Sequence, residues 1–256
     1  MTEAILEKLQ ATKKYSDVCP DTLKRIAAEC AAKYKKPKDA EKAAKEALHG
    51  ITGAFMDAAL LKSARQLLEN GDIEGALKLH SSTRERMPLD SFYSELFAYT
   101  GRPASVLDLA CGMNPVYLGS IGINVTGVDI SGAQIRLMNE WAEAAGAPVK
   151  CYVGDALCEN FIPEGTWDLT LVMKLLPVIE NQRKGAAKAL LEAISTPLVA
   201  VTFPTRTMGG RKVGMEQHYT EWFESIIPEK YTIRDRYICN FELVYILECA
   251  NRAERG

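Results

Sequence analysis

The chain has 256 residues, 47% hydrophobic and 25% charged, with a formal net charge of −2. That length and apolar content can bury one α/β core plus an appendage and exclude a disordered or fibrous chain. The near-zero charge excludes a surface basic all over, but it averages unlike parts: residues 8–45 carry eleven Lys/Arg against five Asp/Glu, and residues 101–205 seven against ten, so the basic stretch is either a grip on a polyanion or a solvated helical face.

In chain order, the opening MTEAILEKLQATKK lacks the apolar region and cleavage site of a secretory signal, and no run of about 18 uncharged apolar residues follows. A soluble, cytoplasmic protein without membrane contact is expected. Residues 1–100 are rich in Ala, Lys, Glu and Leu, with apolar positions at helical spacing such as Leu23, Ile26, Ala27 and Cys30. This predicts an all-helical unit of two small bundles dividing near His49 to Gly53. Asp21 and Asp57 are candidate caps, Gly71 closes a helix, and Asp72 opens the next.

From Ser105 the texture changes. VLDLA, INVTGVDI, PVKCYVGD, WDLTLVMKL, PLVAVTF, YTIRDRYI and ELVYILEC read as strands, with helical stretches GAQIRLMNEWAEAAG and NQRKGAAKALLEAI among them. Strands alternating with helices imply right-handed crossovers and a mostly parallel sheet; the last two strands, separated by a short turn near Asn240, form an antiparallel edge pair. The predicted class is therefore α/β: a Rossmann-like domain over residues 101–256 behind the helical extension of residues 1–100. Trp141, Trp167 and Trp222 are read as core aromatics.

The seven cysteines include no CxxC pair and read as reduced thiols, and the isolated His49, His80 and His218 fit no metal spacing. No metal is predicted.

In an open parallel sheet, ligands sit beyond the carboxyl ends of the strands, where strand order reverses. VLDLACG ends a strand there, and Ala110 and Gly112 let backbone N–H groups approach a ligand. The absence of GxGxxG argues against a dinucleotide. Asp129 follows Gly112 by seventeen residues at the end of INVTGVDI, suited to a ribose diol, and Asp155 in VGDAL is placed to read an adenine edge. The order DxxxG, then Asp, then Asp looks like the S-adenosylmethionine site of class I methyltransferases.

The fourth strand ends in VMKLLPVIE, without the NPPY-like motif of exocyclic amino methyltransferases or the Pro-Cys of cytosine C5 enzymes. An acceptor needing no deprotonation is preferred, and guanine N7 is one; no side chain is expected to act as acid or base, only to position and exclude water.

The motifs KKYSDVCPDTLKRI, LHGITGAF, LHSSTRERM, VLDLACGMNP, VMKLLPVIE and FPTRTMGGR resemble the aminoglycoside-resistance 16S rRNA guanine-N7 methyltransferases, the Arm and Rmt group together with their counterparts in aminoglycoside producers, over nearly the whole chain. The resemblance implies a seven-stranded class I methyltransferase using S-adenosyl-L-methionine and releasing S-adenosyl-L-homocysteine. It implies a helical extension of two subdomains docking on the assembled 30S subunit, methylation of one 16S rRNA guanine in the decoding A site, and resistance to 4,6-disubstituted deoxystreptamines; a monomer is expected. Carried over by motif, Ala110, Gly112 and Asn114 would form the first turn around the cofactor, Asp129 and Ile130 meet the ribose, and Asp155, Ala156 and Leu157 surround the adenine. Lys174, Leu175, Leu176 and Pro177 would wall the reactive end and Gln182 would close it. Arg86 and Arg102, with His80 nearby, are candidates for the methionine carboxylate.

For RNA phosphates the candidates are Lys13, Lys14, Lys24, Arg25, Lys35, Lys36 and Lys38. Arg206, Arg211 and Lys212, in the loop RTMGGRKVGME, are expected to help splay out the target base. Two rivals stay open: a methyltransferase of a small metabolite, with the extension as a lid, and a ribosome-binding module that protects without chemistry.

Overall fold

The computed structural model describes residues 1–52, 56–205 and 214–250. The chain opens with α1 (Thr2–Gln10), α2 (Pro20–Lys33) and α3 (Pro37–Thr52), then α4 (Ala58–Glu69), α5 (Ile73–Leu79), α6 (Ser81–Glu85) and α7 (Leu89–Thr100). The α/β part follows as β1 (Ser105–Leu109), α8 (Asn114–Ser120), β2 (Asn124–Asp129), α9 (Gly132–Ala145), β3 (Val149–Val153), β4 (Leu169–Met173), α10 (Leu176–Gln182), α11 (Ala186–Ala193), β5 (Leu198–Pro204), α12 (Met215–Ile226), β6 (Tyr231–Cys239) and β7 (Glu242–Cys249).

The strands form one sheet in the order β3-β2-β1-β4-β5-β7-β6, in which β7 alone runs opposite to the other six strands. Strand order therefore reverses between β1 and β4. These are the apolar runs singled out above; β4 is buried at every residue and β1 at all but its first, as strands covered on both faces should be. The closing hairpin turns through Asn240 (φ 44°) and Phe241 (φ 62°), the paired left-handed residues of a tight two-residue turn.

Asp57 and Asp72 cap their helices by accepting from the N–H groups of Leu60 and Gly75, both at 2.8 Å. Asp21 does not cap: α2 starts at Pro20, so Asp21 lies inside its first turn. The stretch NQRKGAAKALLEAI is not one helix, because Gly185 (φ 84°) separates α10 from α11. The short α8 and α10, seven residues each, span too few turns to show a helical period in sequence; α12, at twelve residues, is a helix that the sequence reading did not name.

Helices α1 to α3 enclose their own core around Leu9, Leu23, Ile26 and Leu48. Helices α4 to α7 do not: Leu68, Leu77, Phe92 and Leu96 join Val106, Val125 and Leu171 in a core shared with one sheet face. The other face packs against α10, α11 and α12 through Leu107, Val172, Leu190 and Phe223. The three tryptophans sit in or against these two cores, and all seven cysteines are free thiols. No helix among the described residues is long and apolar enough to cross a membrane.

Close approach of α8 to the sheet depends on Gly119, where an added Cβ would lie 2.2 Å from Val149 Cγ2. Gly119→Ala is expected to lower the unfolding free energy by about 1–3 kcal/mol through overpacking, despite the helical preference for Ala; urea unfolding gives the value, and an unchanged or raised midpoint would contradict this packing.

Candidate cofactor and active site

A cleft opens at the reversal point, beyond the carboxyl ends of β1, β2, β3 and β4, with about 850 Å³ of empty space including its open mouth, where an open parallel sheet places its ligand. Two non-glycine residues, Ala110 (φ 55°) after β1 and Lys174 (φ 57°) after β4, adopt left-handed backbone at its floor. Such residues cost on the order of 1–3 kcal/mol each and persist where the surroundings over-determine them. Here adjoining N–H groups are pinned to neighbouring strands: Cys111 to the Val128 carbonyl at 3.1 Å and Lys174 to that of Thr202 at 3.0 Å.

Asp129, 8% exposed, lines the cleft and accepts one backbone N–H on each oxygen, from Gly112 at 3.0 Å and Ser131 at 2.9 Å. Burial raises its pKa more than these bonds lower it. The fixed carboxylate keeps lone pairs for a diol, and Ile130 lies beside it in the cleft wall. Gly112 itself (φ 53°) sits below the wall, and a Cβ there would meet the His80 ring at 2.6 Å. Burial, with Arg86 and Lys174 nearby, pushes His80 down to about 4, so at neutral pH it is an uncharged imidazole bonded to Thr83 Oγ1 at 2.9 Å. It fills space behind the turn and offers no positive charge to a carboxylate.

Asp155, Ala156 and Gln182 line the other end. Asp155 Oδ1 accepts the Leu157 N–H at 2.9 Å, which makes Leu157 a backbone partner of the site while its side chain joins the core. Oδ2 accepts from Thr22 Oγ1 at 2.7 Å and from Arg25 Nε and Nη2 at 3.1 and 2.9 Å. Arg25, expected from its basic surroundings to contact phosphate, does not do so: its side chain is 8% exposed and turned into the cleft. Lys13, Lys14, Lys24, Lys35, Lys36 and Lys38 are exposed, as a phosphate contact requires.

Two further expectations give way. Arg102 lies at the opposite, amino-terminal end of the sheet, donating to the Ile121 carbonyl, because it precedes β1 whereas the cleft follows it. Arg86 is 1% exposed and outside the cleft wall; its Nε and Nη2 donate to Glu242 at 3.1 and 3.4 Å and its Nη1 to Asn114 Oδ1 at 2.9 Å. A carboxylate from β7 thus occupies the guanidinium that was expected to take a ligand carboxylate, and Asn114 lies with it behind the turn. Lys174 and Leu175 do wall the cleft; Leu176 is core and Pro177 sits outside the wall. Arg206, Arg211 and Lys212 lie outside the described residues.

Glu242 had no sequence signal. Burial favours its neutral form, yet Arg86 and Lys174 (3.0 Å) outweigh this and hold its pKa below the ordinary glutamate value. Asp108 received the opposite solution. Fully buried on β1, with neither oxygen in a well-formed hydrogen bond among the described residues, it is pushed by burial up to about 8, against the lowering effect of nearby Asn114 and Arg86. Its carboxyl is neutral at pH 7. Since the unfolded chain releases this proton near pH 4, the folded state loses stability between about pH 4 and pH 8. Asp108→Asn, which cannot titrate, is expected to gain melting temperature relative to the unaltered chain as pH rises from 5 to 9; a difference independent of pH would contradict a neutral Asp108.

A family model described as ribosomal RNA methyltransferase (FmrO) matches residues 11–246. A Serratia marcescens protein named 16S rRNA (guanine(1405)-N(7))-methyltransferase is 40% identical over 245 residues, covering 95% of this chain and 96% of its own length. A Micromonospora echinospora protein of the same name is 34% identical over 266 residues, with 96% of each covered. Among solved structures, 16S rRNA methyltransferase RmtF in complex with S-adenosyl-L-homocysteine aligns with a TM-score of 0.89 at 48% identity, over 97% of this chain and 98% of that one. The 16S rRNA methylase RmtB aligns at 0.88 and 37% identity, over 97% and 98%.

Proposed function

This chain belongs to the FmrO family of ribosomal RNA methyltransferases, and from that premise we propose that it methylates N7 of guanine 1405 of 16S rRNA, as named for its relatives, in the assembled 30S subunit. It uses S-adenosyl-L-methionine, and the modification confers resistance to 4,6-disubstituted deoxystreptamine aminoglycosides. The observation that carries the reading is the cleft at the strand reversal, walled at once by Asp129 and Asp155.

The residues present fit an adenosine. Asp129, held by two backbone N–H groups, accepts from the ribose hydroxyls; Asp155 and Gln182 bracket the base edge; Leu109, Val128, Phe161 and Ile179 supply apolar walls for its faces. When bound, S-adenosylmethionine supplies an electrophilic sulfonium methyl, which the N7 lone pair takes in line to leave S-adenosylhomocysteine. The cleft fits an acceptor of that kind. Its titratable walls among the described residues are Arg25, Asp129, Asp155 and Lys174, and each already has a partner. None is placed to remove a proton, and N7 carries none to remove. What Lys174, Leu175 and Met173 do at the reactive end is shape the wall and keep water out.

The exposed lysines of the first helical unit would supply phosphate contacts, which position without reading sequence. Methylation at N7 removes a hydrogen-bond acceptor and leaves a positive charge facing a polycationic drug, so drug binding weakens.

Tritium transfer from labelled S-adenosylmethionine to intact 30S subunits of a susceptible bacterium, with the base mapped by borohydride and aniline cleavage and primer extension, tests the proposal. Labelling at guanine 1405 is expected; binding of S-adenosylhomocysteine with unlabelled subunits would refute it. Asp129→Ala should weaken S-adenosylhomocysteine binding at least about tenfold by calorimetry. Reversing the charges of Lys13, Lys14, Lys35 and Lys36 should leave that affinity unchanged and flatten the salt dependence of subunit binding, by about 0.7–0.9 in slope per lost phosphate contact. A small-metabolite enzyme would show undiminished turnover in the charge-reversed variant.

A further inference from the structure

The unit formed by α1 to α3 has its own core, yet its seam with the α/β body falls on the two loops that carry the cleft's acids. Cys19 donates its N–H to the Ile130 carbonyl at 2.8 Å, Gly132 donates to the Asp17 carbonyl at 2.7 Å, and Val18 and Ser131 form an isolated β-bridge. All three contacts lie within three residues of Asp129. An added Cβ at Gly132 would meet the Asp17 carbonyl at 2.9 Å, so backbone is pressed on backbone. At the loop after β3, Thr22 and Arg25 reach Asp155, while Arg183 joins the Leu157 carbonyl at 3.0 Å to Glu29 of α2 at 2.9 Å.

Arg25 goes further than the seam. Its Nη2 donates both to Asp155 and to Gln182 Oε1 at 3.1 Å, so one guanidinium orients the two side chains that bracket the base end of the cleft. Asp155 is 5% exposed. Stripped of Arg25, it would be a buried carboxylate supported by one hydroxyl and one backbone N–H, and Gln182 would keep only the 3.3 Å bond from its Nε2 to the Val178 carbonyl, with its Oε1 unheld.

We propose that Arg25 is a positioning residue of the cofactor site: supplied by the helical extension, it holds Asp155 and Gln182 as acceptors for the exocyclic amino group of adenine, and so makes the extension part of cofactor recognition. The proposal rests on the assignment of the cleft to S-adenosylmethionine and is independent of the RNA substrate. A purine carrying a 6-oxo group has an acceptor where adenine has a donor, and fixed acceptors reject it because two like lone pairs are forced together. By reciprocity, a ligand held by Asp129 and Asp155 must steady the segment that leans on their loops.

The test is calorimetry of S-adenosylhomocysteine and its 6-oxo (inosyl) analogue on the full chain, with circular dichroism and thermal melting alongside. Arg25→Ala is expected to weaken S-adenosylhomocysteine about tenfold or more, the scale of losing charge-assisted hydrogen bonds, and to weaken the analogue less, so that discrimination narrows. Arg25→Lys should recover part of the affinity, and Thr22→Val, removing one donor to Asp155, should produce a smaller loss in the same direction. In the unaltered chain, S-adenosylhomocysteine should slow hydrogen exchange at the Cys19 and Gly132 amides.

Equal weakening of both nucleosides by Arg25→Ala would reduce Arg25 to a structural strut and overturn the proposal, as would unchanged affinity in a folded variant. No heat with the unaltered chain would instead remove the cofactor assignment beneath it. Labelled subunits alongside undiminished discrimination in Arg25→Ala would leave the enzyme's function standing and reject the role of Arg25.

Discussion

Burying carboxylates at one end of a sheet is the constraint around which the molecule is arranged. Asp108, Asp129, Asp155 and Glu242 are each 8% exposed or less, and an isolated buried carboxylate is costly enough that it must be paired, hydrogen-bonded or neutralised. Each receives a different solution. Asp108 keeps its proton. Asp129 takes two backbone N–H groups from the turns that follow β1 and β2. Asp155 takes a hydroxyl and a guanidinium from α2, and Glu242 takes Arg86 and Lys174.

These solutions tie the chain together across long sequence distances. The Arg86–Glu242 pair joins the segment between α6 and α7 to β7, and Asn240 of the closing hairpin donates to the Arg86 carbonyl at 2.7 Å. Removing one partner of a buried pair costs about 3–5 kcal/mol because the other charge is left uncompensated, so neither Arg86 nor Glu242 is dispensable without the other, and the pair accompanies the shared core of α4 to α7 with the sheet. The boundary near residue 100 is a change of secondary structure across which that core continues; the separately cored part is α1 to α3. Even that part is fastened at Asp155.

The same arrangement suits the chemistry. On the proposed reading, carboxylates that already have partners would hold a cationic nucleoside cofactor by hydrogen bonds in fixed directions, and they would leave no free base where none is needed. Positive φ at Ala110 and Lys174 bends the strand ends so that side chains and peptides face the cleft.

The sequence alone determined the features that repeat at short range or sit in contiguous strings. Strand runs such as VLDLA and DLTLVM, the two Asp caps at Asp57 and Asp72, the parallel sheet with an antiparallel end, Asp129 and Asp155 at strand ends, and the family motifs were all legible, because periodicity and local spacing encode them. Only the tertiary structure decided which charges meet. Arg25 looked like one more cation in a basic stretch, but lies 130 residues from the aspartate it serves; Arg86 looked like a ligand fork, but Glu242, 156 residues on, had taken it; Arg102 was one short turn from the right strand and at the wrong end of it. A buried ion pair forms where desolvation makes an unpaired charge too costly, and burial is a property of the packed chain, which no local pattern of residues records.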